Sequence, residues 1–210
     1  FGFDPALAVV LGKLLDQVVS EQLPVAAALE PSITTFHAGP NDVLRRGTDL
    51  ADLFGRYDEA VRQVTGTGER VIVFTSIGRA GGTGRLAQFL ADRFARFNGN
   101  VREVAARHGA VVVDLEPVEA LTDRRLWHTD RLHLNSAGHA RVAAAVLERL
   151  GVEAPDILGG DAGWWRAPPR RGTDHVQHRS GASGDRPQHR QRDTAGGQHG
   201  VRAASDRASG

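Results

Sequence analysis

Two short polar segments carry side chains whose types and spacing can do chemistry. In Asp130-Arg131-Leu132-His133 a carboxylate stands three residues before an imidazole. Within a turn, that spacing lets the carboxylate hold one ring nitrogen, fixing the tautomer and stabilising the imidazolium, while the other nitrogen takes a proton from a nucleophile. Taken alone the pair is a weak signal, since a surface His beside an accidental Asp is at least as common. The second segment, Gly39-Pro40-Asn41-Asp42, sets an amide beside a carboxylate where a chain would leave a strand. By composition it is also ordinary turn chemistry. A third, Gly78-Arg79-Ala80-Gly81-Gly82-Thr83-Gly84, follows an apolar run and opens a helix, where backbone N–H groups could cradle a phosphate. It matches neither the Gly-x-Gly-x-x-Gly spacing nor a Gly-Lys-Ser/Thr ending, so it reads first as a flexible loop. His175, His178, His189 and His199 stand in a stretch expected to lack the structure that a defined metal site needs.

The elements that must position these groups follow from hydrophobic period. Lys13 to Leu29 predicts a helix interrupted at Pro24, and Ser32 to Ala38 a short strand. Leu50, Leu53, Phe54, Tyr57, Val61 and Val64 recur at helical spacing before Gly66. Val71 to Phe74 is continuously apolar, so Arg70 to Ile77 predicts a strand buried on both faces, as a parallel sheet requires. Leu86, Leu90, Phe94, Phe97, Val101 and Val104 form the stripe of a long helix ended by Gly109, and Ala110 to Asp114 supplies a third strand. Gly99 within that helix costs about 1 kcal/mol relative to Ala. The last helix starts near Ser136, a plausible N-cap, and runs to Leu150, with Asn135 at its entry and His139 on it. Alternating strands and helices imply a three-layer α/β/α, flavodoxin-like sandwich with a parallel sheet, in which ligands sit beyond the carboxyl ends of the strands. Those ends are the segments after Ala38, Ile77 and Asp114.

Composition bounds what the molecule can be. The 210 residues contain no Cys and no Met, and 26 basic side chains oppose 25 acidic ones. A disulfide scaffold and a thiolate nucleophile are excluded, and overall charge points to no nucleic-acid partner. No apolar run approaches the roughly 20 residues needed to span a bilayer. Charge is unevenly distributed: residues 161–210 hold 9 Arg and 5 Asp, leaving 17 basic against 20 acidic positions before them. The chain is therefore expected to divide into a domain at 1–152 and a tail at 153–210. The tail is Arg- and Gly-rich, too poor in apolar groups to offset its ordering entropy and expected to be disordered. Its mixture of Arg, Gly, Asp, His and Gln also resembles GC-rich coding sequence read out of frame. Because the chain begins at Phe1 and contains no Met, its amino end is expected to have been cut. The compartment is left open, with the cytoplasm favoured and secretion not excluded.

The order of the two polar segments, one at the sheet's carboxyl edge and one before the final helix, resembles the SGNH or GDSL hydrolase family. Gly39-Pro40-Asn41-Asp42 is similar to the third block of that family, Gly-x-Asn-Asp, and Asp130-Arg131-Leu132-His133 to its fifth, Asp-x-x-His. Phe36-His37-Ala38 leading into the former, the helix around Asn98, and Leu134-Asn135-Ser136-Ala137-Gly138-His139 after the latter extend the likeness over roughly residues 6–150. Gly12, ahead of Leu14-Leu15-Asp16-Gln17, falls where the second-block glycine would lie.

The resemblance implies a serine-type esterase, lipase or acetylesterase acting on a small-molecule ester without cofactor or metal. It assigns His133 as base and Asp130 as its orienting partner. The oxyanion would be held by the Gly12 N–H, the Asn41 side chain and the nucleophile's own N–H, and losing one such donor costs roughly 3 kcal/mol. One departure is serious. The family's nucleophile lies in a Gly-Asp-Ser block on the first strand, yet no such block precedes Gly12 and only eleven residues stand before it. The nucleophile strand is accordingly expected to be missing, with Ala6 to Val10 a remnant of the second strand and activity impaired. Ser20, Ser32 and Ser76 do not match the missing position, and Ser180 to Asp185 has similar letters in a context expected to be unstructured. No nucleophile is assigned. The competing expectation is a flavodoxin-like phosphate- or nucleotide-binding module using the loop at 78–84.

Overall fold

The computed structural model describes residues 12–66, 70–77, 84–130, 132–152 and 163–169, all within a unit spanning Phe1–Val176. The expected remnant at Ala6 to Val10, the glycine-rich segment 78–83, the second unit Gln177–Gly210 and the four tail histidines lie outside them.

Three parallel strands, β1 (Ile33–Phe36), β2 (Arg70–Phe74) and β3 (Val111–Val113), form a sheet in the order β1-β2-β3. Phe36 pairs with Val73, and Phe74 with Val113. The period of two along β2 separates the core into two layers. Val71 and Val73 join Phe36 and the inner faces of α4 (Leu50–Thr65) and α5 (Arg85–His108), including Leu53, Tyr57, Val61, Phe97 and Val101. Ile72 faces the other way, into a cluster with Val113, Leu121, Leu126 and Ala144 and Ala145 of α6 (Ser136–Arg149). Side chains such as Ile72 and Val73, fully removed from solvent, each contribute roughly 1.5–3 kcal/mol. Helices on both faces of a parallel sheet are the expected three-layer α/β sandwich.

The strands are shorter than the apolar runs that predict them. Ser76 leaves the ladder because the fully buried Asn98 of α5 takes the place of a neighbouring strand: its Oδ1 accepts from the Ser76 N–H (2.7 Å) and its Nδ2 donates to the Ser76 carbonyl (2.9 Å). At the start of the described chain, α1 (Leu15–Gln17) and α2 (Leu23–Ala28) are joined by a π-helical turn, Val18–Gln22. Pro24 therefore lies in the first turn of α2 instead of breaking the helix, because the wider turn before it absorbs the missing N–H. The last helix takes its N-cap from Asn135, one residue before the Ser136 expected, and Asn135 Oδ1 accepts from the Gly138 N–H (3.1 Å).

Trp164 and Trp165, placed in the tail by composition, instead form a 3₁₀ turn, Trp164–Arg166, against α6. The reason is a set of partners distant in sequence. The Trp165 indole N–H donates to Glu148 (2.7 Å), Arg166 makes two bonds to the same carboxylate, and the Arg141 guanidinium lies 5.0 Å from the Trp164 ring centroid.

Candidate active site

The segment after β1 turns into a five-residue helix, α3 (Pro40–Leu44), where the sequence suggested only a turn. Gly39 makes the entry possible: its φ is +100°, and a Cβ there would stand 2.6 Å from the Phe97 ring. Only glycine fits. Pro40 occupies the first helical position, where its missing N–H costs nothing. The two polar residues of α3 both reach back to the segment after Gly12. The half-buried Asn41 donates from Nδ2 to the Lys13 carbonyl (2.9 Å), and the buried Asp42 accepts from the Leu15 N–H (2.9 Å). Thus Asn41 is brought against the main chain next to Gly12, which has φ of +81°. One Asn41 N–H is used by Lys13, and an amide carries a second.

The other segment is built around Asp130. Its Oδ1 accepts the Leu132 and His133 N–H groups (2.8 and 3.0 Å), and its Oδ2 lies 2.7 Å from His133 Nδ1. The carboxylate therefore fixes both the loop and the ring. The hydrogen bond from His133, followed by those from the two backbone N–H groups, holds the Asp130 carboxyl well below the usual carboxylate range. A bond of this kind puts the proton of neutral His133 on Nδ1 and leaves Nε2 as the accepting nitrogen. Among the described residues, Nε2 has no hydrogen-bond partner. His133 and Asp130 are exposed.

The loop is tied to α6 by close packing. The His128 N–H donates to the His133 carbonyl (2.8 Å), Trp127 and Leu134 form an antiparallel bridge, and Asn135 Nδ2 donates to the Arg125 carbonyl (2.7 Å). A Cβ on Gly138 would lie 2.4 Å from the Leu126 carbonyl oxygen. That glycine lets the first turn of α6 sit directly on the loop that carries His133.

The ends of β2 and β3 are locked by Thr75. Its hydroxyl donates to Asp114 Oδ1 (2.8 Å) and accepts from the Leu115 and Glu116 N–H groups (2.8 and 3.0 Å). Arg102 closes on Asp114 with two bonds (3.0 and 2.7 Å). Burial pulls the Asp114 carboxyl upward, but the bonds from Arg102 and Thr75 outweigh it and leave it below its ordinary value.

The structure thus joins Asn41 to the Gly12 segment and Asp130 to His133. No hydrogen bond among the described residues links one pair to the other. Of the described serines, Ser20, Ser32 and Ser136 are exposed and Ser76 is buried, and none bonds to His133. Among the described residues there is no cluster of metal-ligating side chains and no helix long and apolar enough to cross a membrane. Sequence reasoning missed the anchoring role of Asp42, the clamp made by Asn98 and the buried Arg93 of α5. Arg93 was detectable, because it falls three residues after Leu90 and four before Phe97, on the inward stripe of the helix.

A family profile described as GDSL-like Lipase/Acylhydrolase family matches residues 9–141. Similar solved structures include an alpha/beta hydrolase enzyme from the metagenome of Lake Arreo, Spain: 26% identity, 67% of this chain and 69% of that one, TM-score 0.52. An acetylxylan esterase from Geobacillus stearothermophilus is 20% identical over 68% of this chain and 69% of its own, with TM-score 0.54. A lipase/acylhydrolase from Enterococcus faecalis is 21% identical over 66% and 71%, with TM-score 0.51. The last two share the fold. The Geobacillus enzyme has catalytic mutants at a serine, an aspartate and a histidine, the latter two three positions apart. No curated protein sequence matches the chain.

Proposed function

The chain belongs to the GDSL-like lipase/acylhydrolase family, and on that premise we propose that it carries the base, the orienting carboxylate and the oxyanion donors of an ester hydrolase acting on small acyl or acetyl esters. The observation that carries the reading is the Asp130–His133 contact of 2.7 Å, which leaves Nε2 as the accepting nitrogen. The same three-residue aspartate–histidine spacing in the Geobacillus acetylxylan esterase supports it.

In this reading His133 Nε2 removes the proton from the attacking oxygen, and the ionised Asp130 stabilises the imidazolium that results. The tetrahedral intermediate places negative charge on the former carbonyl oxygen. The second Asn41 N–H and the Gly12 N–H are the donors for it, held in place before the reaction begins. The returning imidazolium then protonates the leaving alcohol.

We further propose that hydrolysis by this chain is impaired, a reading supported by the lack of a bond from any of the described serines to His133. Attack then falls to water assisted by the same base. In triad enzymes stripped of one member, the oxyanion hole and binding alone retain a factor of roughly 10³–10⁴ over water. The test is the initial rate on p-nitrophenyl acetate between pH 5 and 8. The parent exceeds buffer, whereas His133→Ala falls to the buffer rate. Equal rates for the two would overturn the assignment. A fluorophosphonate is expected to leave the described serines unlabelled, and robust labelling of one of them would refute the impairment.

A further inference from the structure

Arg93 is the only charged residue among the buried positions of α5. A guanidinium taken out of water is costly unless its donors are matched, and charged partners are the usual solution. Here there is no carboxylate: among the described residues Arg93 forms no ion pair, and its donors go to main-chain oxygens of one segment. Nε donates to the Val43 carbonyl (2.9 Å), and Nη2 to those of Arg45 (3.2 Å) and Thr48 (3.0 Å). The guanidinium also lies 5.4 Å from the Phe89 ring centroid.

Those carbonyls belong to the end of α3 and the turn that follows it. A helix of five residues leaves its last carbonyls without internal partners and is too short to hold its own shape. One turn further along α5, Phe97 lies against Gly39, at the other end of α3. Helix α5 therefore grips α3 at both ends, Phe97 by shape and Arg93 by hydrogen bonds. Asn41 and Asp42, held between those grips, contact Lys13 and Leu15 in turn.

We propose that Arg93 is a positioning residue for the oxyanion donors, fixing α3 so that the Asn41 amide stays in register with the Gly12–Leu15 segment. Its catalytic consequence rests on the ester-hydrolase reading, while its geometric consequence does not. Lysine at this position keeps the charge but offers a point donor in place of a fork, and cannot span three carbonyls. A reacting or donating group displaced by about 1 Å loses on the order of 10²-fold in rate.

The test compares ¹⁵N-labelled parent with Arg93→Lys, Arg93→Met and, as a control at an exposed neighbour, Arg96→Lys. Three quantities are read: hydrogen exchange at the Leu15 and Val73 N–H groups, the Asn41 side-chain amide signals, and kcat and KM on p-nitrophenyl acetate. In Arg93→Lys, Leu15 exchange is expected to rise about tenfold or more while Val73 in the central strand is unchanged, the difference between local and global opening. The Asn41 signals shift, and kcat falls roughly 10- to 100-fold with KM within about twofold, the pattern of a loss felt in the transition state. Arg96→Lys matches the parent. Should Arg93→Met fail to fold, Arg93→Lys decides. Unchanged Leu15 exchange and Asn41 signals in Arg93→Lys would overturn the proposal, as would Leu15 and Val73 exchange rising together. Selective loss of Leu15 protection in a protein whose rate ignores His133→Ala would uphold the clamp and refute the hydrolytic reading instead.

Discussion

Replacing Asp130 by Asn changes the chemistry of the site while sparing its shape. The parent carboxylate accepts three hydrogen bonds, two from backbone N–H groups through Oδ1 and one from His133 Nδ1 through Oδ2. An asparagine oxygen can keep the two backbone bonds, so the loop between residues 130 and 133 retains its turn. The amide nitrogen then faces Nδ1 as a donor. Neutral His133 must move its proton to Nε2, where it can no longer accept one, and the imidazolium loses the negative charge beside it. A positioned general base contributes about 10²–10⁴-fold. Asp130→Asn should therefore lower the His133-dependent rate on p-nitrophenyl acetate by a factor within that range, with little change in melting temperature because the pair is exposed. Nitrogen NMR of the ring supplies a check independent of turnover: at high pH the parent carries its proton on Nδ1 and the variant on Nε2. A variant with the parent rate and the parent tautomer would refute this reasoning.

Gly39→Ala forces a Cβ at φ of +100° to within 2.6 Å of the Phe97 ring, and strain plus overpacking should cost about 2–4 kcal/mol. Gly47→Ala, with nothing within 4 Å of the new Cβ, serves as the control, and urea denaturation reads both. Acid should destabilise the fold through carboxylates whose folded pKa is depressed. Glu59 is brought down to about 2 by hydrogen bonds from Arg62 and then Gln63, and Asp58 is lowered by its bond to His108 ahead of that to Arg107. Their stabilisation is fully present above the unfolded value and is lost as pH falls through the folded one, for Glu59 between about 4.5 and about 2. Denaturation midpoints should decline below about pH 5, and a midpoint unchanged at about pH 3 would contradict the assignment.

Much of the framework could be read from the sequence because local chemistry and tertiary packing agree there. The continuous apolar run at Val71 to Phe74 demanded burial on both faces, and alternate residues do enter different layers. The Asp-x-x-His spacing signalled a contact that three residues can make without distant help. What escaped depends on distant partners. α3 reads as a turn because Gly, Pro, Asn and Asp all favour turns; its helical form comes from Phe97 and Arg93, about 50 residues later. β2 looked longer because nothing local reveals that Asn98 replaces a strand at Ser76. Trp164 and Trp165 lie in a stretch with no hydrophobic period, and their burial depends on Glu148 and Arg141. The match of Gly12 with Asn41 was legible only through family resemblance, since neither residue alone specifies the other.

The central claim is that the Asn41 and His133 pairs, separately anchored in the fold, serve one reacting centre. The most direct measurement is a titration of the ¹⁵N-labelled chain with methylphosphonate, a tetrahedral oxyanion that cannot be hydrolysed as an ester. The account predicts that the Gly12 N–H, the Asn41 side-chain amide and the His133 ring respond together along a single binding curve. A response at Asn41 that leaves His133 unmoved, or none at either, would contradict it.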